Sequence, residues 1–182
     1  MSARVNGRRL LYEGRVFRMV RENVTLDNGA TADLDFIEHP GAAAIVPLLE
    51  SGDVVLVRQY RHALKEYIWE IPAGTLVPGE SGLECARREL IEETGYTAAA
   101  WQTLGEITPV PGYSDERIFL FLASELSPAA QALDPEEVLA VHRLTLPKAL
   151  DMISAGEIRD AKSICGLLLA QRHLMPLKNT NY

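Results

Sequence analysis

Apolar and polar positions alternate in residues 16–24 (VFRMVRENV) and again in 32–38 (ADLDFIE), which predicts two strands. Asn28-Gly29 lies between them and is a strong hairpin signal. Two more strands are predicted at 42–49 (AAAIVPLL) and 53–60 (DVVLVRQY), around a tight turn at Ser51-Gly52. The unbroken run Val54 to Val57 marks a strand buried on both faces. Residues 61–74 read as extended and end at Pro72 and Gly74. The period then changes: Leu83, Ala86, Arg87, Leu90 and Thr94 form one helical stripe over 83–94, and Gly95 stands at the C′ position. Strands at 101–110, 117–126 and 138–146 follow, then helices over 147–158 and 159–174, with Pro147 at a first-turn position. Strands, helix, strands, helices in that order predict an α+β protein with a mixed sheet. Residues 1–40 are expected to be a β-rich segment of their own, ahead of a main domain over 41–182.

Composition narrows the picture. Hydrophobic residues make up 47% of the 182-residue chain, enough for a sizeable core. The formal net charge of −7, without a basic run, argues against a nucleic-acid backbone as partner. Cys85 and Cys165 have neither CxxC spacing nor a histidine at zinc-like distance, and they read as reduced thiols. The N-terminal residues lack an apolar run of signal-peptide length, and no stretch approaches the ~18 apolar residues of a membrane span. A cytoplasmic location without membrane contact is expected. His62, His142 and His173 have no ligand-like spacing and are expected to be structural or exposed.

The chemistry concentrates in 74–96, GTLVPGESGLECARRELIEETGY. Glu89, Glu92 and Glu93 crowd one sector of the predicted helix, beside the apolar stripe, where like charges cost a few tenths of a kcal/mol. They read either as a solvated acidic face relieved by Arg87 and Arg88, or as oxygen ligands for a hard cation. Gly74, five residues, Glu80, seven residues, Arg88-Glu89-Leu90, one residue, Glu92-Glu93, one residue and Gly95-Tyr96 together resemble the Nudix box, with Tyr96 a mild departure at a position usually aliphatic.

The resemblance implies a Nudix fold, an α/β/α sandwich with a mixed sheet. It also implies Mg²⁺- or Mn²⁺-assisted hydrolysis of a nucleoside diphosphate linked to another group. By position, Glu89 and Glu93 would be the main metal ligands, Glu92 would assist, directly or through water, Arg88 would hold a ligand in place and Glu80 would brace the loop or hold an outer metal. The flanking RQYRHALKEYIWEIPAG, Pro111 sixteen positions after Gly95, and GEIRDAKS are similar to the ADP-ribose pyrophosphatase branch. GEIRDAKS is also similar to GDP-mannose pyrophosphatases. In this branch the Ala73 carbonyl would join the metal ligands. Arg58 and Arg61 are candidates to grip the diphosphate or bracket a base, and Glu70 to accept from a base amine or ribose. Gly112 would let backbone approach the diphosphate, and Glu116 would bind the terminal ribose. Tyr113 reads equally as packing, and Lys162 is a lesser phosphate candidate. The general base would lie before the last strand, at Glu137 or alternatively Glu136. A homodimer is implied, its N-terminal segment crossing to the partner, with Phe17 to Arg21 as candidates for base contact. The implied reaction is ADP-ribose to AMP and ribose 5-phosphate. An NDP-sugar pyrophosphatase of GDP-mannose type and a non-catalytic ADP-ribose sensor are the alternatives.

Overall fold

The computed structural model describes residues 3–133, 135 and 137–175. The elements run β1 (Arg4–Glu13), β2 (Arg18–Thr25), β3 (Thr31–Glu38), β4 (Ala42–Pro47), β5 (Asp53–Arg61), β6 (Glu66–Glu70), β7 (Ala73–Thr75), α1 (Gly82–Thr94), β8 (Tyr96–Ile107), β9 (Ile118–Pro128), β10 (Leu139–Thr145), α2 (Leu146–Ser154) and α3 (Ala161–Leu174). They build three sheets, ordered β1-β2-β3, β10-β5-β6 and β7-β4-β9-β8. The last is mixed: β4 runs parallel to β9, from Ala42↔Ile118 to Pro47↔Ala123, while β7 and β8 are antiparallel to their neighbours.

All six residues of β4 are buried, and they divide by the two-residue period of a strand. Ala42, Ala44 and Val46 face one core with Ala149 and Met152 of α2 and Leu167 and Ala170 of α3. Ala43 and Ile45 face the other, with Cys85, Ala86 and Leu90 of α1 and Phe121 of β9. Helices therefore cover both faces of the sheet, the α/β/α arrangement that two-sided apolar strands require. Val54 to Val57 are each at most 1% exposed, as the apolar run predicts. Where Gly166 of α3 passes β4, an added Cβ would lie 2.8 Å from Ile71 Cδ1, so only glycine lets helix and sheet approach this closely. Among the described residues no helix is long and apolar enough to cross a membrane.

The N-terminal segment forms its own antiparallel sheet. The turn at Asn28-Gly29 spans more than two residues: Gly29 N–H donates to the Leu26 carbonyl at 2.9 Å, and only Gly29 takes a positive φ, 81°. β1 is a strand that the pattern reading does not predict. Its register slips between Val5 and Gly7 and between Leu10 and Tyr12, which breaks the alternation that would reveal it. β8 starts at Tyr96 rather than at residue 101, directly after the left-handed Gly95. The last two helices are shorter than predicted: Thr145 and Asp160 cap their starts, and α2 ends at Ser154, ahead of the left-handed Gly156.

Candidate active site

α1 is sharply bounded. Ser81 and Glu84 form a reciprocal capping box, with Ser81 N–H donating to Glu84 Oε2 at 2.8 Å. Gly95, at φ 69°, donates its N–H to the Ile91 carbonyl and ends the helix. The buried face holds Cys85, Ala86, Glu89, Leu90, Glu93 and Thr94. Glu89 and Glu93 thus lie on the core-facing stripe itself, one turn apart, rather than beside it. Arg87, placed on that stripe by the pattern, is exposed instead, its guanidinium 6.0 Å from the Trp101 ring centroid. Its companion Arg88 is the one that pairs with Glu89 and Glu92.

Arg88 donates from Nε and Nη2 to the two oxygens of Glu80, each at 2.9 Å. Its Nη1 donates to Glu89 at 2.5 Å and to Glu92 at 3.0 Å, and Nη2 also reaches the Thr75 carbonyl at 3.2 Å. Hydrogen bonding to Glu80, joined by Glu89 and Glu92, drives the Arg88 pKa far above its ordinary value. Glu80 in turn accepts from Val77 N–H at 3.1 Å and is pulled below the usual carboxylate range, chiefly by Arg88. Through these bonds it braces the loop ahead of α1. Glu92 is the most open of the three glutamates, its side chain 37% exposed.

Glu93 is 2% exposed and accepts from the Ala73 N–H at 3.0 Å. Burial, then the Glu89 carboxylate, push its pKa up to about 8; Glu137 adds to this and Arg61 opposes it. Glu89 is raised as well, by burial first, with Glu92 and Glu137 adding and Arg88 opposing. A Cβ at residue 74 would fall 1.7 Å from Glu89 Oε1 and 1.9 Å from its Cδ, so the bare Gly74 backbone forms the seat of this carboxylate. The Cys85 thiol, pushed up to about 12 chiefly by burial, stays protonated and donates to the Gly74 carbonyl at 3.4 Å.

These groups open onto a cleft of about 1050 Å³. Ala73, Gly74, Arg88, Glu89 and Glu93 form one wall, and Gln59, Arg61 and Glu137 line it too. His39, Asp115 and the β1–β2 turn with Phe17 and Arg18 also reach it. The Arg61 guanidinium forks onto Glu70, at 2.6 Å from Nε and 2.7 Å from Nη2. Burial pushes the Glu70 pKa up, but Arg61 and Lys162 outweigh it and hold the group ionised, below its ordinary value.

The remaining candidates are dispersed. Arg58 lies on the opposite face of β5 from Gln59 and Arg61, exposed, with its guanidinium 5.8 Å from the Trp69 ring centroid and outside the cleft. Gly112 is exposed and Glu116 half-buried, its carboxylate 3.7 Å from His39 Nδ1; neither lines the cleft, although their neighbour Asp115 does. Tyr113 is 57% exposed. Lys162 stays outside the cleft, paired with Glu70 and Asp160. Glu136 lies outside the described residues. Gln59 went unnoticed in the sequence: it is 6% exposed, and its Oε1 has no hydrogen-bond partner among the described residues. Its signal was period two, since Gln59 and Arg61 continue the face of Val55 and Val57 while Arg58 cannot.

Among the described residues no three acidic, cysteine or histidine side chains close on one point as a metal cage. The pair Glu89 and Glu93 still fits a hard divalent cation. Both are oxygen donors, buried and mutually repelling, beside cleft-lining backbone at Ala73 and Gly74. Mg²⁺-like ions take one or two carboxylates and complete their shell with water and substrate oxygens.

Comparison with known proteins agrees with this frame. The chain is 38% identical over 155 residues to the ADP-ribose pyrophosphatase of Bacillus subtilis (strain 168), covering 84% of each chain. It is 32% identical over 175 residues to the GDP-mannose pyrophosphatase of Yersinia pestis (strain Pestoides F), covering 90% of this chain and 81% of the relative. A crystal structure of an ADP compounds hydrolase shares the fold, with a TM-score of 0.84 at 24% identity, over 96% of this chain and 95% of that one. The NUDIX domain pattern matches residues 38–167, and the chain belongs to that family.

Proposed function

We propose that this protein hydrolyses the diphosphate bond of ADP-ribose, yielding AMP and ribose 5-phosphate, with Mg²⁺ or Mn²⁺ bound. The observation that carries the reading is the pair of buried carboxylates, Glu89 and Glu93, facing a cleft that also holds Arg61. The 38% identical relative named ADP-ribose pyrophosphatase supports the choice of substrate.

Glu89, Glu93 and the Ala73 carbonyl hold the cation, with Glu92 assisting at the rim. The metal, when bound, neutralises phosphoryl charge and lowers the pKa of an attacking water. Arg88 keeps the Glu89 carboxylate turned toward Gly74, a positioning task. Arg61 has five N–H donors and spends two on Glu70, which leaves three for phosphate oxygens. Glu137, in the same cleft, takes the proton of the attacking water, with Glu136 as the alternative base. Arg58, Gly112 and Glu116 would serve substrate only from the periphery. We place the protein in the cytoplasm, where two free thiols suit a reducing environment. We also assign it a homodimer built on residues 1–40, which present exposed apolar side chains at Val5, Leu10, Tyr12 and Leu34.

Product release with Mg²⁺ on ADP-ribose, GDP-mannose, other NDP-sugars and diadenosine polyphosphates, with an EDTA control, tests the reading. AMP from ADP-ribose, lost in EDTA, is the expected result. GMP mainly from GDP-mannose would move the substrate to the second relative's class. Binding of ADP-ribose without cleavage would make the protein a sensor. Glu137→Gln and Glu136→Gln, assayed singly, separate base from bystander: loss of about 10²-fold or more marks the base.

A further inference from the structure

A partly buried charge ladder runs from the start of α3 to the cleft. Asp160 caps α3, accepting from Ser163 N–H at 2.9 Å. Lys162 Nζ donates to Asp160 Oδ2 at 3.0 Å and also to Glu70 Oε2. Glu70 Oε2 accepts Arg61 Nη2 as well, while Oε1 accepts Arg61 Nε. The Glu70 and Lys162 side chains are 2% and 12% exposed, whereas Arg61 is 40% exposed and lines the cleft.

The order of contacts assigns each member a task. A bidentate fork fixes both the distance and the plane of a guanidinium, so the Arg61 direction follows the Glu70 carboxylate. That carboxylate is itself turned by the second cation on Oε2. Lys162 also draws on the negative charge of Glu70, which otherwise would spend itself neutralising Arg61. We propose that Lys162 is a positioning residue: acting through Glu70, it aims the Arg61 guanidinium into the cleft and preserves its pull on the substrate diphosphate. The inference rests on the reading of Arg61 as a diphosphate-binding residue.

A double-mutant cycle tests it. Arg61→Ala raises KM for ADP-ribose at least about tenfold, because a grip made equally on substrate and transition state acts through KM. Lys162→Met raises KM about five- to tenfold with kcat within about twofold, and Lys162→Arg recovers most of it. In the Arg61→Ala background, Lys162→Met changes KM less than about twofold. ADP binding in EDTA, measured by titration calorimetry, follows the same pattern without turnover. Thr145→Ala is the structural control. It removes the α2 cap that accepts from the Lys148 N–H at 3.2 Å, away from the cleft and the ladder, so it lowers the melting temperature and leaves KM alone. Should Lys162→Met fail to fold, Lys162→Gln carries the same cycle. An equal KM penalty for Lys162→Met with and without Arg61 overturns the proposal, as does a Lys162 variant that changes the melting temperature only. An unchanged KM for Arg61→Ala overturns the reading of Arg61 itself, and the proposal with it.

Discussion

Replacing Gly74 by alanine isolates the seat of one carboxylate from everything else in the fold. Gly74 is not among the left-handed glycines, so alanine strains no backbone there and only the space is contested. The new Cβ would stand 1.7 Å from Glu89 Oε1 and 1.9 Å from Cδ. Unbonded heavy atoms settle at about 3.5 Å, so the carboxylate must retreat by roughly 1.5–2 Å. Stability changes little. Fewer unfolded conformations return about 0.4–1 kcal/mol, which offsets the disturbance of the Glu89–Arg88 pair. Catalysis suffers far more, because a displacement of about 1 Å at a reacting group costs on the order of 10²-fold. The expected outcome for Gly74→Ala is therefore a near-normal melt in EDTA, a reduced rise of the melting temperature with Mg²⁺, and a kcat/KM lower by about a hundredfold or more. A variant with kcat/KM within about threefold of the parent and an unchanged response to Mg²⁺ would refute the reasoning.

Glu93 links stability to pH. In metal-free protein its carboxyl titrates near 8 when folded and near 4.5 when unfolded, so across that window the folded state retains a proton the unfolded chain has lost. Stability in EDTA should fall as pH rises from about 5 to about 8, at up to 1.4 kcal/mol per unit. Glu93→Gln should flatten that slope in urea titrations while cutting turnover by orders of magnitude; an unaltered slope contradicts the assignment. Ser81→Ala removes the capping box and should cost about 1 kcal/mol, read as a melting temperature lower by roughly 2–4 °C. Gly166→Ala forces a Cβ to 2.8 Å from Ile71 Cδ1 and 3.2 Å from Val46 Cγ2, and should destabilise by about 1–3 kcal/mol in the same melts; a neutral result would show that α3 can shift.

What the sequence made legible was whatever depends on local period or a fixed spacing. Val54 to Val57 announce a strand covered on both sides, and Leu83 to Gly95 announce a helix with its stop. The Gly74–Tyr96 spacing brings glycine, arginine and glutamates to one place because a single loop and helix carry them all. Other features escaped for physical reasons. A stripe drawn through apolar residues passes over Glu89 and Glu93, since carboxylates enter a core face only where a cation or a backbone donor receives them. β1 was hidden by two register slips. Arg58 and Arg61 looked equivalent until the two-residue period separated them onto opposite faces of β5. The Glu70–Lys162 pair joins positions 92 residues apart, and no local pattern encodes such a contact.

Placing Glu89 and Glu93 on the same helical face as Cys85, Ala86 and Leu90 has a consequence for motion. The last three are 0% exposed and pack against β4 and β9. α1 cannot peel away to release its carboxylates without opening that core. For amide hydrogen exchange, exposure of the site and unfolding of the sheet become one cooperative event. Protection along α1 should match that of β4, and a cation held by Glu89 and Glu93 should slow exchange in Ile45 and Phe121 as well as at the cleft.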